Sequence, residues 1–440
     1  MKRIALLIAA AMLAAAQLSA NTFYVATNGS DSTGNGSITT PYATINKAED
    51  FVLPGDVVYV RGGIYTGSVG IWNGGSSTAR VVFQSYPGET AILDGTGLAS
   101  GTDVVAVGAP YVDFIGFEIR NGPWVGFDGW GMQYGRVLNN IIHDNQHDGI
   151  YLGYDTDNVV HDDLIAGNVV YHNCLSNSAR SSSGGWPQAI GIDKADNVTV
   201  MNNRVFRNYG EGIIVGYTDG VVVTGNEVFD NYSAGIYITY ARTAKVDGNY
   251  VYSSGDADYY RSGNPADGII MANEGSGSTH ALSGNDVINN VVVRAHWGLG
   301  YWKSQPYGMT SCRFANNTVY NATTHALHID NDTASSGNLI ENNIFALPSG
   351  SSATLASVTS TGNTFRNNNW TANPGSPAYS SADDQIGDPA FAHAGGLLAT
   401  DYQIGSTSAA KDHGRTLSYV TVDYWRKARG GTYEIGAWEY

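Results

Sequence analysis

One short phrase recurs along this chain, first as Leu-Asn-Asn-Ile-Ile-His-Asp-Asn at residues 138–145. It returns as Ala-Gly-Asn-Val-Val-Tyr-His-Asn at 166–173, Met-Asn-Asn-Arg-Val-Phe-Arg-Asn at 201–208 and Thr-Gly-Asn-Glu-Val-Phe-Asp-Asn at 224–231. The asparagines that we take as equivalent are Asn140, Asn168, Asn203, Asn226, Asn249, Asn290, Asn317, Asn343 and Asn363. Their intervals run from 20 to 41 residues, which is typical of a solenoid with loops inserted into some of its coils.

A second phrase accompanies the first and has the alternating aliphatic residues of a short strand. Its copies include Asp148-Gly-Ile-Tyr-Leu, Glu211-Gly-Ile-Ile-Val, Ala234-Gly-Ile-Tyr-Ile and Asp267-Gly-Ile-Ile-Met. Two or three such strands per coil, stacked at about 4.8 Å, would form parallel sheets around an apolar core. The sequence therefore predicts an all-β, right-handed parallel β-helix. The recurring asparagine fits a turn, because it tolerates a left-handed backbone and can bond the asparagine of the next coil.

The rest of the chain divides around this solenoid. Thr44 is placed to cap a short helix whose face carries Ile45, Ala48 and Val52, and which would cover the open end of the solenoid. The predicted parts are a signal peptide at 1–20, an N-terminal cap with the first coils at 21–102, the β-helix with its groove at 103–370, and a C-terminal cap at 371–440.

The composition and charge of the chain limit the partners and the cellular location that it can have. The net charge of −16 excludes nucleic acid as a partner, because phosphates require a basic patch. An acidic polysaccharide would also be repelled unless cations or a local basic cleft intervened. No apolar run after the signal peptide is long enough to cross a membrane. We expect a monomeric, secreted or periplasmic protein in which Cys174 and Cys312, five coils apart, are free and buried thiols.

The opening and the end of the chain resemble known proteins. Pro54-Gly-Asp-Val-Val-Tyr-Val-Arg-Gly-Gly-Ile-Tyr-Thr-Gly and Val81-Val-Phe-Gln-Ser-Tyr-Pro-Gly are similar to the start of secreted bacterial β-helix proteins that act on polysaccharides. These include family 9 polysaccharide lyases and several β-helical glycoside hydrolases. The final Tyr433-Glu-Ile-Gly-Ala-Trp-Glu-Tyr resembles their tails. The resemblance implies a polysaccharide substrate and no organic cofactor.

Two long insertions, 174–187 and 253–266, precede strands of the repeat and leave the same side of the solenoid. Long loops in compact folds tend to be functional. We therefore expect them to form the walls of a substrate groove. The side chains proposed to bind sugar in the walls and on the floor are Arg180, Trp186, Tyr151, Tyr259, Tyr260, Arg261, Trp302 and His328.

Strand alternation predicts which side chains face out into the groove. Glu211 and Asp267 stand in one column two coils apart, near 10 Å between backbones. That separation suits an inverting glycosidase, in which a water fits between the acid and the base. An equally simple interpretation is that an acidic residue before glycine serves only to start each strand.

A different set of residues suits a lyase that cleaves a uronate-containing glycan by β-elimination, which is our first interpretation. Such an enzyme needs a base beside the uronate and a cation to neutralise its carboxylate. Lys194 or Tyr237 is the candidate base, and Arg180 or Arg261 the neutralising group. The glycosidase with Glu211 and Asp267 is the alternative, and a non-catalytic glycan-binding or envelope protein is a third.

Calcium is the cofactor that the resemblance suggests, since family 9 lyases hold calcium in an acidic cluster beside a catalytic lysine. This sequence has Tyr209-Gly-Glu-Gly-Ile where a run of aspartates would be expected. No calcium ligand is therefore carried over, and the metal ligands are unknown. Asp193, Glu211 and Asp267 remain candidates for a cation site, and Asp193 is also a candidate catalytic residue.

Overall fold

The structure, a computed structural model, describes residues 20–181, 184–274 and 279–440. The predicted signal peptide lies, apart from Ala20, outside the described residues. Within them the chain winds into three long parallel sheets of 13, 11 and 13 strands, in which each strand pairs with its counterpart one coil away. The predicted parallel β-helix is confirmed. In the part of the chain described, no helix has the length and apolar character needed to span a bilayer.

The first sheet holds Thr22–Val25, Val57–Val60, Val81–Ser85, Val112–Ile115, Arg136–Leu138, Leu164–Ala166, Thr199–Met201, Val222–Thr224, Lys245–Asp247, Asp286–Ile288, Arg313–Ala315, Asn338–Glu341 and Asn363–Arg366. The second, which we call the groove sheet, holds Val69–Ile71, Val105–Val107, Phe127–Asp128, Ile150–Gly153, Gln188–Asp193, Glu211–Asp219, Ala234–Arg242, Asp267–Ala272, Trp297–Trp302, His325–Ile329 and Thr354–Val358. The third holds Gly63–Thr66, Ala91–Asp94, Glu118–Arg120, Ile141–His143, Val169–Tyr171, Arg204–Phe206, Glu227–Phe229, Tyr250–Tyr252, Val291–Val293, Thr318–Tyr320, Ile344–Ala346, Asn369–Trp370 and Gln385–Ile386. A separate pair joins Val160–His161 to Ala195–Asp196, and the helical segments are the α-helix Ile45–Glu49 and the 3₁₀ turns Leu175–Asn177, Ala257–Tyr259 and Ala399–Tyr402.

A ladder of buried asparagines joins the coils at one corner. The Oδ1 atom of Asn226 accepts the backbone N–H of Asn203 at 2.9 Å and its Nδ2 at 3.0 Å. Asn226 in turn donates from Nδ2 to the Val200 carbonyl and to Asn249 Oδ1, both at 2.9 Å. The same pattern runs through the ladder asparagines Asn140, Asn168, Asn203, Asn226, Asn249, Asn290, Asn317, Asn343 and Asn368.

The last member of this ladder differs from the sequence prediction. Asn343 bonds Asn368, whereas Asn363 pairs with Asn338 in the neighbouring column of the first sheet. The position before Asn363 requires glycine because of close packing: a Cβ on Gly362 would lie 1.9 Å from the Ser335 carbonyl oxygen. The choice of Asn363 as the ninth equivalent was therefore wrong.

The left-handed residue of each turn is the one before the ladder asparagine. These nine residues all have φ between 49° and 70°, and each is asparagine or glycine, the two residue types that adopt this conformation most readily. They are Asn139, Gly167, Asn202, Gly225, Gly248, Asn289, Asn316, Asn342 and Asn367. Assigning the left-handed backbone to the ladder asparagine itself was wrong by one residue, and this division of roles explains why the phrase reads Asn-Asn or Gly-Asn.

Other predictions for the scaffold can also be checked. The Thr44 side chain accepts the backbone N–H of Lys47 and caps the short helix, whose Ile45 and Ala48 are buried. Cys174 and Cys312 are free and buried, as expected. Inward-facing aliphatic residues from all three sheets form one continuous apolar core.

Asp163 is a buried carboxyl at a position where the same column carries asparagine in later coils. Its Oδ1 accepts the Gly135 N–H at 2.6 Å and its Oδ2 has no hydrogen-bond partner in the described structure. Asn285 and Asn338 make the equivalent bond and also donate from Nδ2 to a backbone carbonyl. Burial accordingly raises the pKa of Asp163 to about 8.

The Asp163→Asn variant should therefore flatten part of the dependence of stability on pH. An unfolded aspartate titrates near pH 4, so between about pH 4 and 8 the folded state binds the extra proton and stability falls as the pH rises. Thermal unfolding should show a gain in Tm for the variant at pH 8.5 that exceeds the gain at pH 4.5 by about 3 °C or more. Asp258→Asn, on an exposed loop, is the control, and an equal gain at both pH values would contradict the assignment.

Candidate active site

The outward side chains of the groove sheet form straight columns. Backbone pairing aligns the first column, which contains Gln188, Glu211, Ala234, Asp267, Trp297 and His325. Glu211 and Asp267 are thus two strands apart in one column, with Ala234 between them, as the alternation predicted. Ile213 and Ile236, two residues further along the strands of Glu211 and Ala234, point into the core. At the strand spacing the two backbones are about 10 Å apart.

A pocket of about 550 Å³ opens over this column. Its size suits a small part of a carbohydrate chain. Polar and aromatic side chains dominate its lining, which includes Trp186, Gln188, Glu211, Ser233, Tyr237, Arg261, Asn264, Asp267, Glu274, His296, Trp297 and Trp302.

Glu211 has the character of a proton donor. It is buried at the base of the pocket beneath the first inserted loop, which contributes Trp186. Burial raises the pKa of the Glu211 carboxyl to about 8; the neighbouring Trp186 and Arg261 lower it, and the like charge of Glu274 raises it further. At neutral pH this carboxyl is therefore mostly protonated, the state that a general acid requires.

Asp267 differs from Glu211 in its surroundings. Its Oδ1 accepts His296 Nδ1–H at 2.8 Å and the Trp297 backbone N–H at 3.1 Å. Its Oδ2 receives no hydrogen bond from the described residues and is free to bind a water or a substrate hydroxyl. The backbone contact to the next coil is shared by Asp148, which accepts the Gln188 N–H. Both aspartates thus start a strand and both have an imidazole partner, His147 for Asp148 and His296 for Asp267, but of the two aspartates Asp267 is the one that lines the pocket.

The two inserted loops meet above the groove. Arg180 Nη1 donates to the carbonyl oxygens of Ala257 and Asp258, at 3.1 and 2.9 Å, and so ties the first loop to the second. Arg261 comes from the second loop, stacks over the Trp186 ring at 4.7 Å and lines the pocket. Arg261 is therefore placed to meet a substrate, whereas the Arg180 guanidinium is engaged in holding the walls.

The two candidate bases for elimination lie in different places. Lys194 has a left-handed backbone with φ of 52°, and its Nζ donates to the Asp155 carbonyl at 3.2 Å, outside the pocket lining. Tyr237 lies in the pocket, and its hydroxyl is buried with no hydrogen-bond partner among the described residues. Burial, with Glu274 and Glu211 nearby, raises the pKa of Tyr237 above its ordinary value, which disfavours the phenolate.

The remaining predicted side chains are spread along the groove. Asp193 accepts the Tyr151 hydroxyl at 3.4 Å, one coil before Glu211 and in a different column, and burial raises the pKa of Asp193. Tyr259 is buried against Tyr209, with Tyr260 beside it, and neither lines the pocket. Trp302 does line it.

His328 lies under Trp297, with the two rings 3.9 Å apart, and its Nε2 bonds Asp330 at 2.9 Å. Neither His328 nor Asp330 reaches the pocket lining.

Sequence reasoning missed two ionisable residues of the pocket, His296 and Glu274, and the uncharged Ser233, Ser262 and Asn264. His296 lies one residue before the strand phrase that begins at Trp297, and Glu274 follows the strand Asp267–Ala272. The signal available for His296 was its position directly before a strand of the repeat, one coil after Asp267.

Stacked parallel coils with a groove between inserted loops define the class of right-handed parallel β-helix proteins. Within that class, residues 23–213 match the family model described as Pel9A-like, right handed beta helix region, and residues 139–292 match the model described as right handed beta helix region. The scaffold thus resembles that of family 9-type polysaccharide lyases, as predicted.

Individual relatives agree with these models. The pectate lyase PEL9 of Emericella nidulans is 33% identical to this chain over 116 residues, which cover 23% of this chain and 28% of the relative. The matched stretch is therefore less than a third of that enzyme. The crystal structure of pectate lyase Pel9A superposes with a TM-score of 0.60 at 17% identity, covering 96% of this chain and 97% of that chain. The structure of XylC with xylose gives 0.67 at 13% identity, covering 95% and 98%. These two structures establish the shared fold.

Proposed function

We propose that the chain is a polysaccharide-cleaving enzyme in which Glu211 protonates the leaving oxygen of the glycosidic bond. The observation that carries the proposal is a buried carboxyl with a pKa raised to about 8 in a pocket lined by tryptophans. Aromatic faces stack on sugar rings, and a neutral carboxylic acid can donate a proton to the departing oxygen. The export segment predicted at 1–20 would place this activity outside the cytoplasm.

Hydrolysis is the reaction that this geometry supports best. In our proposal Asp267, oriented by His296, takes a proton from a water that attacks the anomeric carbon, while Glu211 gives its proton to the leaving oxygen. The C–O bond to the leaving sugar breaks as the new C–O bond to water forms. Two strand spacings put the backbones of Glu211 and Asp267 about 10 Å apart. From there the side chains can bring the two carboxyls to the roughly 6.5–9.5 Å that separates them in inverting glycosidases.

Elimination from a uronate is the second candidate, and the similarity to a pectate lyase favours it. Arg261 in the pocket would neutralise the substrate carboxylate, a base would remove the neighbouring proton, and Glu211 would again protonate the leaving oxygen. Tyr237 is the base within reach, although the raised pKa of its hydroxyl works against it. Lys194 would have to leave the Asp155 carbonyl and enter the pocket.

Calcium stays a proposal tied to this second reaction. Among the described residues there is no group of three or more His, Cys, Asp or Glu side chains that could hold a metal ion. Asp193, in particular, stands in a different column from Glu211 and Asp267. We therefore assign no calcium ligands and derive no step through the ion.

One measurement separates the two reactions. The protein from Asn21 onward is incubated with neutral plant glycans, pectate and alginate, with and without calcium, and reducing ends and ultraviolet absorbance are followed together. Hydrolysis should raise reducing ends alone, whereas elimination should raise both signals because it leaves an unsaturated sugar. Retention of every polymer without cleavage would contradict the proposed activity and favour a glycan-binding protein.

The pH profile gives a second check on Glu211. Because this carboxyl must be protonated to act as an acid, kcat/KM should fall tenfold for each unit of pH above about 8. A profile measured between pH 5 and 10 on the cleaved polymer tests this. Activity that stays constant to pH 10 would remove Glu211 from the role of acid.

A further inference from the structure

Tryptophan is concentrated along one sheet of this solenoid. Six of the nine tryptophans of the chain lie on strands of the groove sheet or within a few residues of one: Trp72, Trp124, Trp130, Trp186, Trp297 and Trp302. The last three line the pocket around Glu211. The first three lie outside it, over the N-terminal coils, and have no part in the chemistry described above.

These three rings are unusually open to solvent. Trp72 is 61% exposed, Trp124 42% and Trp130 37%. Trp72 directly follows the strand Val69–Ile71, and Trp130 comes two residues after the strand Phe127–Asp128, so both lie at the same edge of the groove sheet. Two large apolar rings exposed at this edge, with Trp124 exposed at the opposite one, mark a binding surface, because the hydration of such rings is unfavourable.

The rings are also held in place. A Cβ on Gly108 would lie 2.5 Å from the Trp72 ring, so the absence of a side chain there lets the indole lie close to the backbone of the next coil. Trp130 packs against Tyr154 with 5.1 Å between ring centroids. On the opposite edge Trp124 stacks on His147 at 3.9 Å. Rings supported in this way lose little conformational entropy when a ligand stacks on them.

This surface and the pocket lie on the same sheet. The Trp72 strand is five strands from the Glu211 strand in the groove sheet, about 24 Å at the strand spacing. Tyr217, on the Glu211 strand itself, is partly exposed at the same edge. An extended sugar chain that follows the sheet would therefore meet aromatic faces at both ends of this distance, at Trp72 and Trp130 and again at Tyr217 beside the pocket.

The floor between the two edges favours a neutral glycan. Asp128 has a buried Oδ1 with no hydrogen-bond partner in the described structure. Burial and the adjacent Asp103 and Asp148 raise the pKa of Asp128 to about 8. Three carboxyls grouped this closely, together with the net charge of −16, would repel a chain of uronates, whereas a neutral glycan meets no such repulsion.

We infer that Trp72, Trp124 and Trp130 form a platform that binds the uncleaved part of a neutral polysaccharide and feeds it to the pocket. The inference rests on the proposed function for the direction of the substrate chain, and it goes further by specifying a long neutral polymer cut at internal bonds. The platform spans the coils from Val69–Ile71 to Ile150–Gly153.

The test measures binding in the Glu211→Gln background, so that cleavage does not interfere. Affinity electrophoresis is run through gels containing arabinoxylan, xyloglucan, mixed-linkage glucan, galactomannan or polygalacturonate. At least one neutral polymer should retard the protein more than polygalacturonate does. The double change Trp72→Ala and Trp130→Ala should weaken that binding about tenfold or more.

Trp425→Ala is the matched control, because Trp425 is 57% exposed in the C-terminal segment, away from the groove sheet. Equal binding by the double variant and the control, or retardation by polygalacturonate alone, would overturn the inference. So would a lack of retardation by every neutral polymer. If the double variant loses binding while Glu211→Gln retains full cleaving activity, the result supports the platform and contradicts the proposed role of Glu211.

Discussion

The Glu211→Gln variant should lose cleaving activity by about 10²- to 10⁴-fold, the usual contribution of a general acid. Glutamine keeps the size of the side chain and is neutral, as the protonated carboxyl is, but it cannot give up a proton at the leaving oxygen. For the same reason the variant should remain folded, with a Tm near that of the parent protein. The measurement is kcat/KM on the cleaved polymer, together with thermal unfolding at pH 7.

A substrate with a good leaving group makes this test specific for acid catalysis. If hydrolysis is the reaction, a nitrophenyl glycoside of the same sugar needs little protonation, so Glu211→Gln should lose far less activity on it than on the polymer. Asp267→Asn should lose activity on both, because the attacking water still requires a base. Glu227→Gln, on the third sheet, is the control. A Glu211→Gln enzyme within fivefold of the parent on the polymer would refute the assignment.

A large loss of stability is the expected result of removing one ladder asparagine. Asn226→Ala breaks the bonds to Asn203, Val200 and Asn249 and leaves their buried polar groups unsatisfied. Each unsatisfied buried group costs about 1–3 kcal/mol, so the free energy of unfolding should fall by about 3–5 kcal/mol. Thermal or urea unfolding measures the loss.

Two further variants define the ladder's contribution. Asn28→Ala replaces an exposed asparagine and should change stability by less than about 0.5 kcal/mol. Asn226→Asp keeps the acceptor oxygen and loses the N–H donor. Its loss of stability near neutral pH should therefore lie between that of Asn28→Ala and that of Asn226→Ala. If Asn226→Ala were no more destabilising than Asn28→Ala, the ladder would not be a source of stability.

The fold could be predicted from the sequence because its signals are local and repeated. Alternation in the strand phrase correctly placed Glu211 and Asp267 facing out into the groove. The error at Asn363 arose because Gly-Asn serves two purposes. Gly225 before Asn226 supplies a left-handed backbone, whereas Gly362 before Asn363 relieves a close contact with Ser335. The letters are the same, and only the three-dimensional packing separates the two reasons.

The site was predicted less completely. A column position follows from counting along a strand, so the alignment of Glu211 with Asp267 could be foreseen. The direction of a side chain at a turn cannot be counted in this way. Lys194, in a left-handed turn, bonds Asp155 outside the pocket. Arg180 spans from one loop to the other. Both outcomes depend on loop contacts that no period in the sequence encodes.

The equal length of two neighbouring coils has a consequence for how such an enzyme can evolve. Residues 203–225 and 226–248 each make one coil of 23 residues, and each begins with a ladder asparagine. Loss of the second coil, which carries Ala234, would place Glu211 and Asp267 on adjacent strands about 4.8 Å apart. That is close to the separation of the two carboxyls in retaining glycosidases. Duplication or loss of a single coil therefore changes the distance between reacting groups in fixed steps, and with it the stereochemistry of the product.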